Sequence, residues 1–137
     1  MEREEIRECN KLIAEFMGYK YYPLPEDRSY NPGWWKGDPI KMTSFNKLNE
    51  NHLLCRSYND LRYYNSWDWL MSVVYKIFNE GWVTIFYSNY CIIQDKATFT
   101  KREDNDLPYF DSHSESPETL IKAVYECVVE FIKYQNK

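Results

Sequence analysis

The sequence predicts an α+β fold, with three amphipathic helices packed on a mainly antiparallel sheet. Apolar residues recur at helical spacing in three separated stretches, and residues 82–94 read as two strands joined by a two-residue connection. The order helix, extended loop region, strand, helix, strand, strand, helix implies a mixed, mainly antiparallel sheet. A chain of 137 residues is one domain on size grounds and can bury roughly two-thirds of its unfolded surface. We therefore expect a single domain over residues 1–137 with a loop-rich insert at about 19–51.

The first helix is expected over Arg3 to Met17, where Ile6, Cys9, Leu12, Ile13, Phe16 and Met17 form one stripe. Glu2, Glu4 and Glu5 favour the positive end of its dipole, and Gly18 can take the left-handed conformation that ends it. From Tyr19 to Asn51, Pro23, Pro25, Pro32, Gly33, Gly37 and Pro39 break any long element. Tyr21-Tyr22 and Trp34-Trp35 can form short extended segments flanking the turn signal Asn31-Pro-Gly33. His52 to Tyr58 reads as a strand.

The second helix begins at Asn65 or Ser66, either able to cap it, with Trp67, Leu70, Met71, Val74, Ile77 and Phe78 as its buried stripe and Asn79-Glu80-Gly81 as its stop. Core packing is the expected use of Trp67. Trp82–Tyr87 and Tyr90–Gln94 are strands joined at Ser88-Asn89, with apolar residues on both faces of the first, so the hairpin is expected to be covered on both sides. A short strand near Ala97 to Lys101 and an acidic loop running to Ser116 follow. The third helix starts with Ser116 as cap and Pro117 in its first turn, and presents Leu120, Ile121, Val124, Cys127, Val128, Phe131 and Ile132 on its apolar face.

Composition excludes some classes of function. A net charge of −4 argues against binding duplex nucleic acid, which needs a basic face to displace counterions. The charge is uneven: between Trp34 and Tyr63, Lys36, Lys41, Lys47, Arg56 and Arg62 outnumber Asp38, Glu50 and Asp60, whereas 103–118 is acidic without a Lys or Arg. The opening Met1-Glu-Arg-Glu-Glu-Ile-Arg-Glu8 lacks the order of a signal peptide, and no apolar run approaches membrane-spanning length. We expect a location in the cytoplasm and no membrane partner. Cys9, Cys55, Cys91 and Cys127 stand 46, 36 and 36 positions apart, without the paired spacing of a zinc site or redox dithiol, and read as reduced, buried, small apolar residues.

Three stretches carry a family resemblance: Lys11-Leu-Ile-Ala-Glu-Phe-Met-Gly-Tyr19, Ser66-Trp-Asp-Trp-Leu-Met-Ser-Val-Val-Tyr-Lys-Ile77, and the run from Glu118 to Tyr134. Together they resemble the phage ABA-sandwich domain family of small bacteriophage and prophage proteins. The resemblance implies a three-layer α/β/α sandwich, encoded by a phage or prophage and acting in the host bacterial cytoplasm. It supplies no catalytic motif, because the matching positions are mostly core and cap residues. Members commonly carry Pro where Ser72 stands here, and the insert from Pro23 to Asn51 is longer and less like the family, which makes it the expected seat of any function particular to this chain.

Catalytic and metal chemistry finds little support in the residues. His52 and Cys55 are a candidate pair of ligands or a dyad, but positions i and i+3 on a strand point to opposite faces. Asp111-Ser-His-Ser-Glu115 offers His113 between carboxylates with no second His nearby. No Gly-rich phosphate loop, nucleophile elbow or His-Glu-x-x-His motif occurs. We expect no catalytic residue, no metal and no cofactor, with a hydrolase acting through His113 or Cys55 as the weakest reading.

With 13 Tyr, 7 Phe and 5 Trp, rings either fill the core or line a binding surface. The candidate ligand-binding set is Trp34, Trp35, Arg56, Tyr58, Arg62, Tyr63 and Tyr64, which combines rings that can stack on a base with guanidinium groups that can clamp a phosphate. The alternative is that the rings are core and the two arginines are solvated or pair with Asp60 and Asp68. The first functional reading is a non-catalytic phage accessory protein that sequesters a nucleotide signal of host antiviral defence. The second is an interaction module that inhibits a host protein, with Trp34 and Trp35 as anchors. Homo-oligomerisation is compatible with both.

Overall fold

Two compact units, Met1–Leu61 and Arg62–Lys137, divide the chain. The computed structural model describes residues 2–39, 53–86, 90–95, 109–113 and 120–136. Each unit has its own three-stranded antiparallel sheet. The expected single sheet is therefore corrected to two. Periodicity identifies strands, but it is silent on which strands pair across an intervening helix.

In the first unit, helix α1 (Arg3–Phe16) buries Cys9, Asn10, Ile13 and Ala14, while Ile6, Leu12, Phe16 and Met17 of the expected stripe are half-buried. It ends as anticipated: the Gly18 N–H donates to the Glu15 carbonyl, and Gly18 has φ +93°, a conformation that glycine adopts without a Cβ penalty. Strands β1 (Tyr19–Tyr22), β2 (Gly33–Lys36) and β3 (Leu53–Cys55) follow. Tyr21 pairs with Trp34 across β1 and β2. Trp34 faces Cys55 and Trp35 faces Leu53 across β2 and β3, so the register skips one residue there. The expected strand from His52 to Tyr58 is thus shorter, and His52 lies outside the described residues.

Gly33 is required by space as well as by backbone. A Cβ there would fall 2.3 Å from the Cys55 carbonyl oxygen and 2.9 Å from the Arg56 Cα, at φ +150°. Backbone atoms at those distances cannot rotate aside, so β2 and β3 approach this closely only over a glycine. Trp34 and Trp35 follow directly, 1% and 2% exposed. Adjacent strand residues point to opposite faces, so both faces of β2 are covered.

In the second unit, the Asn65 N–H donates to the Arg62 carbonyl in a turn that leads to helix α2 (Trp67–Asn79). Ser66 caps the helix by accepting a hydrogen bond from the Trp69 N–H at 3.4 Å. Ser66→Ala is expected to cost about 1 kcal/mol, measurable as a lower denaturation midpoint with unchanged slope. The face that α2 buries is Leu70, Val73, Val74 and Ile77, with Trp67, Met71 and Phe78 exposed. This corrects the expected stripe: apolar residues lie so far around this helix that spacing gives its period without its phase.

Strands β4 (Trp82–Phe86), β5 (Tyr90–Asp95) and β6 (Tyr109–His113) form an antiparallel meander, with Phe86 opposite Cys91 and Cys91 opposite Ser112. The two predicted strands are present, and their Ser88-Asn89 connection and the strand expected near Ala97 lie outside the described residues. On β4 the residues Trp82 to Ile85 are half-buried, so the expected cover on both faces is partial. Strand β6 occupies part of the stretch read as an acidic loop. With only Tyr109 and Phe110 apolar in the stretch that pairs, its strand character comes from its neighbour β5 rather than from its own pattern.

Helix α3 (Leu120–Gln135) lies on β5 and β6 and also meets α2. Ala123, Val124, Tyr125, Cys127, Val128, Val129, Phe131 and Ile132 are buried, a wider face than the predicted one, while Leu120 and Ile121 are half-buried. Its predicted start at Ser116-Pro117 lies outside the described residues. Phe131 meets the Trp82 ring edge-on at a centroid distance of 5.1 Å, and the Tyr125 ring meets Tyr64 at 5.1 Å. Among the described residues, no helix is long and apolar enough to cross a membrane. Of the four cysteines, Cys9, Cys91 and Cys127 are buried and Cys55 is half-buried.

Candidate functional site

Packing divides the seven residues expected to bind a ligand. Trp34 and Trp35 belong to the core of the first unit, where the Trp34 Nε1–H donates to the Tyr58 carbonyl at 3.3 Å and the Trp35 Nε1–H to the Asn31 carbonyl at 2.8 Å. Tyr58 stacks on Trp34 at 5.7 Å and receives the edge of Tyr21 at 4.9 Å, while remaining 40% exposed. Arg56 is exposed. In the second unit Tyr63 is 1% exposed and set edge-on to Trp69, Tyr64 is half-buried, and Arg62 is exposed. Burial thus removes Trp34, Trp35 and Tyr63 from any ligand-facing role. A ring adjacent to arginine in sequence looks the same whether it faces the core or water.

Neither arginine forms an ion pair within the described residues. Cys55 directs its thiol to the Ser57 carbonyl at 3.3 Å. Among the described residues, no group of three His, Cys, Asp or Glu side chains is placed to hold a metal ion. His113 is a residue of β6 rather than of a loop.

Among the described residues, four of the exposed large apolar side chains lie on α2. Trp67, Met71, Tyr75 and Phe78 are 40%, 41%, 67% and 49% exposed. At i, i+4, i+8 and i+11 they descend one side of the helix over three turns. The adjoining side, Leu70, Val73, Val74 and Ile77, is buried, the helix packs on β4 and α3, and the Ser66 cap fixes the first turn. The face is therefore preorganised. Sequence reasoning assigned Trp67, Met71 and Phe78 to the core and passed over Tyr75. The available signal was an excess of apolar residues: nine between Trp67 and Phe78, more than one buried stripe requires.

A second feature belongs to the first unit. Asn10, 7% exposed on the buried side of α1, donates from Nδ2 to the Leu61 carbonyl at 3.1 Å, while its Oδ1 is buried without a hydrogen-bond partner among the described residues. An unmade bond of this kind costs about 1–3 kcal/mol. Asn10 lines a recess of about 90 Å³ together with Glu4, Arg7, Glu8, Lys11 and Tyr58. Arg7 lies 3.8 Å from Glu4. The Lys11 ammonium sits 5.9 Å from the centre of the Tyr58 ring. A hydrogen bond with Tyr58 and the charge of that group, followed by Glu8, raise its pKa above the ordinary lysine value, so it remains a cation through neutral pH.

These elements define an α+β chain of two antiparallel-sheet units, with an aromatic helix face on one and a polar recess on the other. No family model matches the chain, and no curated protein or solved structure matches it.

Proposed function

We propose that the chain is a non-catalytic interaction module that engages a host protein through the outward face of α2, in the accessory role that its phage-type sequence resemblance implies. The observation that carries this reading is the exposed row Trp67, Met71, Tyr75 and Phe78. Water-exposed tryptophan and tyrosine on a rigid helix are the residue types on which interface energy concentrates. The row supports an apolar groove or amphipathic helix as the partner surface, because three turns present side chains at the spacing with which helices dock in grooves.

This reading keeps the second function expected from sequence and moves its anchors from Trp34 and Trp35 to Trp67 and Tyr75. The nucleotide-sequestering reading retains Arg56, Tyr58, Arg62 and Tyr64, but its principal stacking rings are buried.

The test is capture from bacterial lysate by the immobilised full chain, followed by affinity measurement with the isolated partner. Trp67→Ala and Tyr75→Ala are each expected to weaken binding about 30-fold, the effect of losing a hot spot of about 2 kcal/mol, with melting temperatures close to that of the parent. Equal capture by the parent and the double variant would refute the proposal.

A further inference from the structure

The exposed row on α2 is close to self-complementary. Going round the helix at about 100° per residue, its outward side chains run in the order Trp67, Phe78, Met71, Tyr75, then Asp68 and Asn79, all exposed. Apolar groups therefore hold one edge of the face and polar groups the other. Along the axis the apolar row is spaced by four, four and three residues, nearly the same read from either end.

A two-fold axis crossing α2 at residues 72–73 uses that pattern. In an antiparallel pair of copies, Trp67 comes opposite Phe78 of the second copy and Met71 opposite its Tyr75, each to within about 1.5 Å along the helix. Ring against ring and thioether against ring are both favourable contacts. The two-fold also sets each edge of the face against its own counterpart. Asp68 then meets the side-chain amide of Asn79 and not a second carboxylate. A parallel pairing would instead set the Asp68 edge of one copy against the Trp67 edge of the other, where a carboxylate is desolvated against rings.

Area sets the strength of such a pair. The exposed fractions of the four apolar side chains amount to roughly two whole side chains of aromatic size, about 400 Å² per copy. Two copies bury about 800 Å², below the roughly 1,200–2,000 Å² of stable complexes. The association is therefore weak and reversible, which suits a face that a tighter partner must later occupy.

We propose that the free chain pairs with a second copy of itself through α2, antiparallel about this axis, and that this pairing shields the aromatic row until a host protein displaces it. The proposal names what regulates the face and rests on reading that face as an interaction surface.

The experiment is sedimentation equilibrium of the full chain, with no host protein present, over a concentration series up to about 1 mM. The expected result is a reversible monomer–dimer equilibrium. Tyr75→Ala removes a ring from both copies and should weaken it about tenfold or more; at 67% exposure the change costs the fold little. Asn79→Lys should tighten the dimer about three- to tenfold by facing Asp68 with a cation twice, and Asn79→Asp should weaken it by a similar factor. A chain that stays monomeric throughout overturns the proposal. So does a dimer indifferent to Tyr75→Ala, or one whose affinity the two Asn79 variants change alike. Capture of a host protein by a strictly monomeric chain leaves the interaction reading standing and removes this one. A dimer with the expected responses that captures nothing supports self-pairing and removes the host-protein reading.

Discussion

Trp34→Ala is expected to destabilise the first unit by about 3–5 kcal/mol, the cost of removing a large aromatic from a filled core. Three observations set that scale. Trp34 is 1% exposed, Tyr58 stacks on it at 5.7 Å and Tyr21 meets it at the same distance. Its indole N–H also holds the Tyr58 carbonyl at 3.3 Å, so truncation leaves that carbonyl to find water. Chemical denaturation followed by tryptophan fluorescence and circular dichroism is the check. The outcome bears on function as well as stability. If Trp34 were a ligand platform, its loss would abolish binding with little change in the unfolding midpoint. A Trp34→Ala variant with the parent's midpoint would return that ring to the candidate site.

Phe131→Ala is the second large effect, also about 3–5 kcal/mol, and belongs to the other unit. Phe131 is 0% exposed on α3 and touches the Trp82 ring at the start of β4. Helix α3 lies on β5 and β6 and meets α2, so a cavity at Phe131 loosens the layer that supports the α2 face. The expected result is a lower midpoint, measurable by the same denaturation experiment, together with weaker partner capture that recovers on cooling toward the temperature of maximum stability. Capture lost at every temperature while the fold remains intact would instead make Phe131 part of the contact. Phe131→Leu, which keeps much of the volume, should cost markedly less.

The contrast between Trp34 and Trp67 shows where sequence reasoning succeeds and where it stops. Both are tryptophans in aromatic surroundings; for Trp34 the sequence left a ligand-facing and a core reading open, and for Trp67 core packing was expected. The structure buries Trp34 and leaves Trp67 partly in water, at 1% and 40% exposure. Nothing local separates the two cases. Trp34 lies on a middle strand with a neighbour on each side, whereas Trp67 lies on the flank of a helix that buries its adjoining side. Asn10 carries a similar lesson: the sequence analysis passed over it, and its burial on α1 with a bond to the Leu61 carbonyl is visible only once the residues around it are in place.

Element identity was largely available from the chain itself. The run Ile6, Cys9, Ile13 gave α1, Gly18 gave its end, Ser66 gave the start of α2, and the alternation around Trp82 and Ile93 gave the β4–β5 hairpin. These signals are local, set by side-chain periodicity, capping hydrogen bonds and backbone freedom, and act within a few residues. Tertiary structure alone decided the division into two sheets, the pairing that makes a strand of Tyr109–His113, the rotation of α2 that leaves four large side chains in water, and the burial of both tryptophans of β2. Those outcomes depend on which surfaces meet, and the free energy of burying a ring depends on its surroundings rather than on its position along the chain.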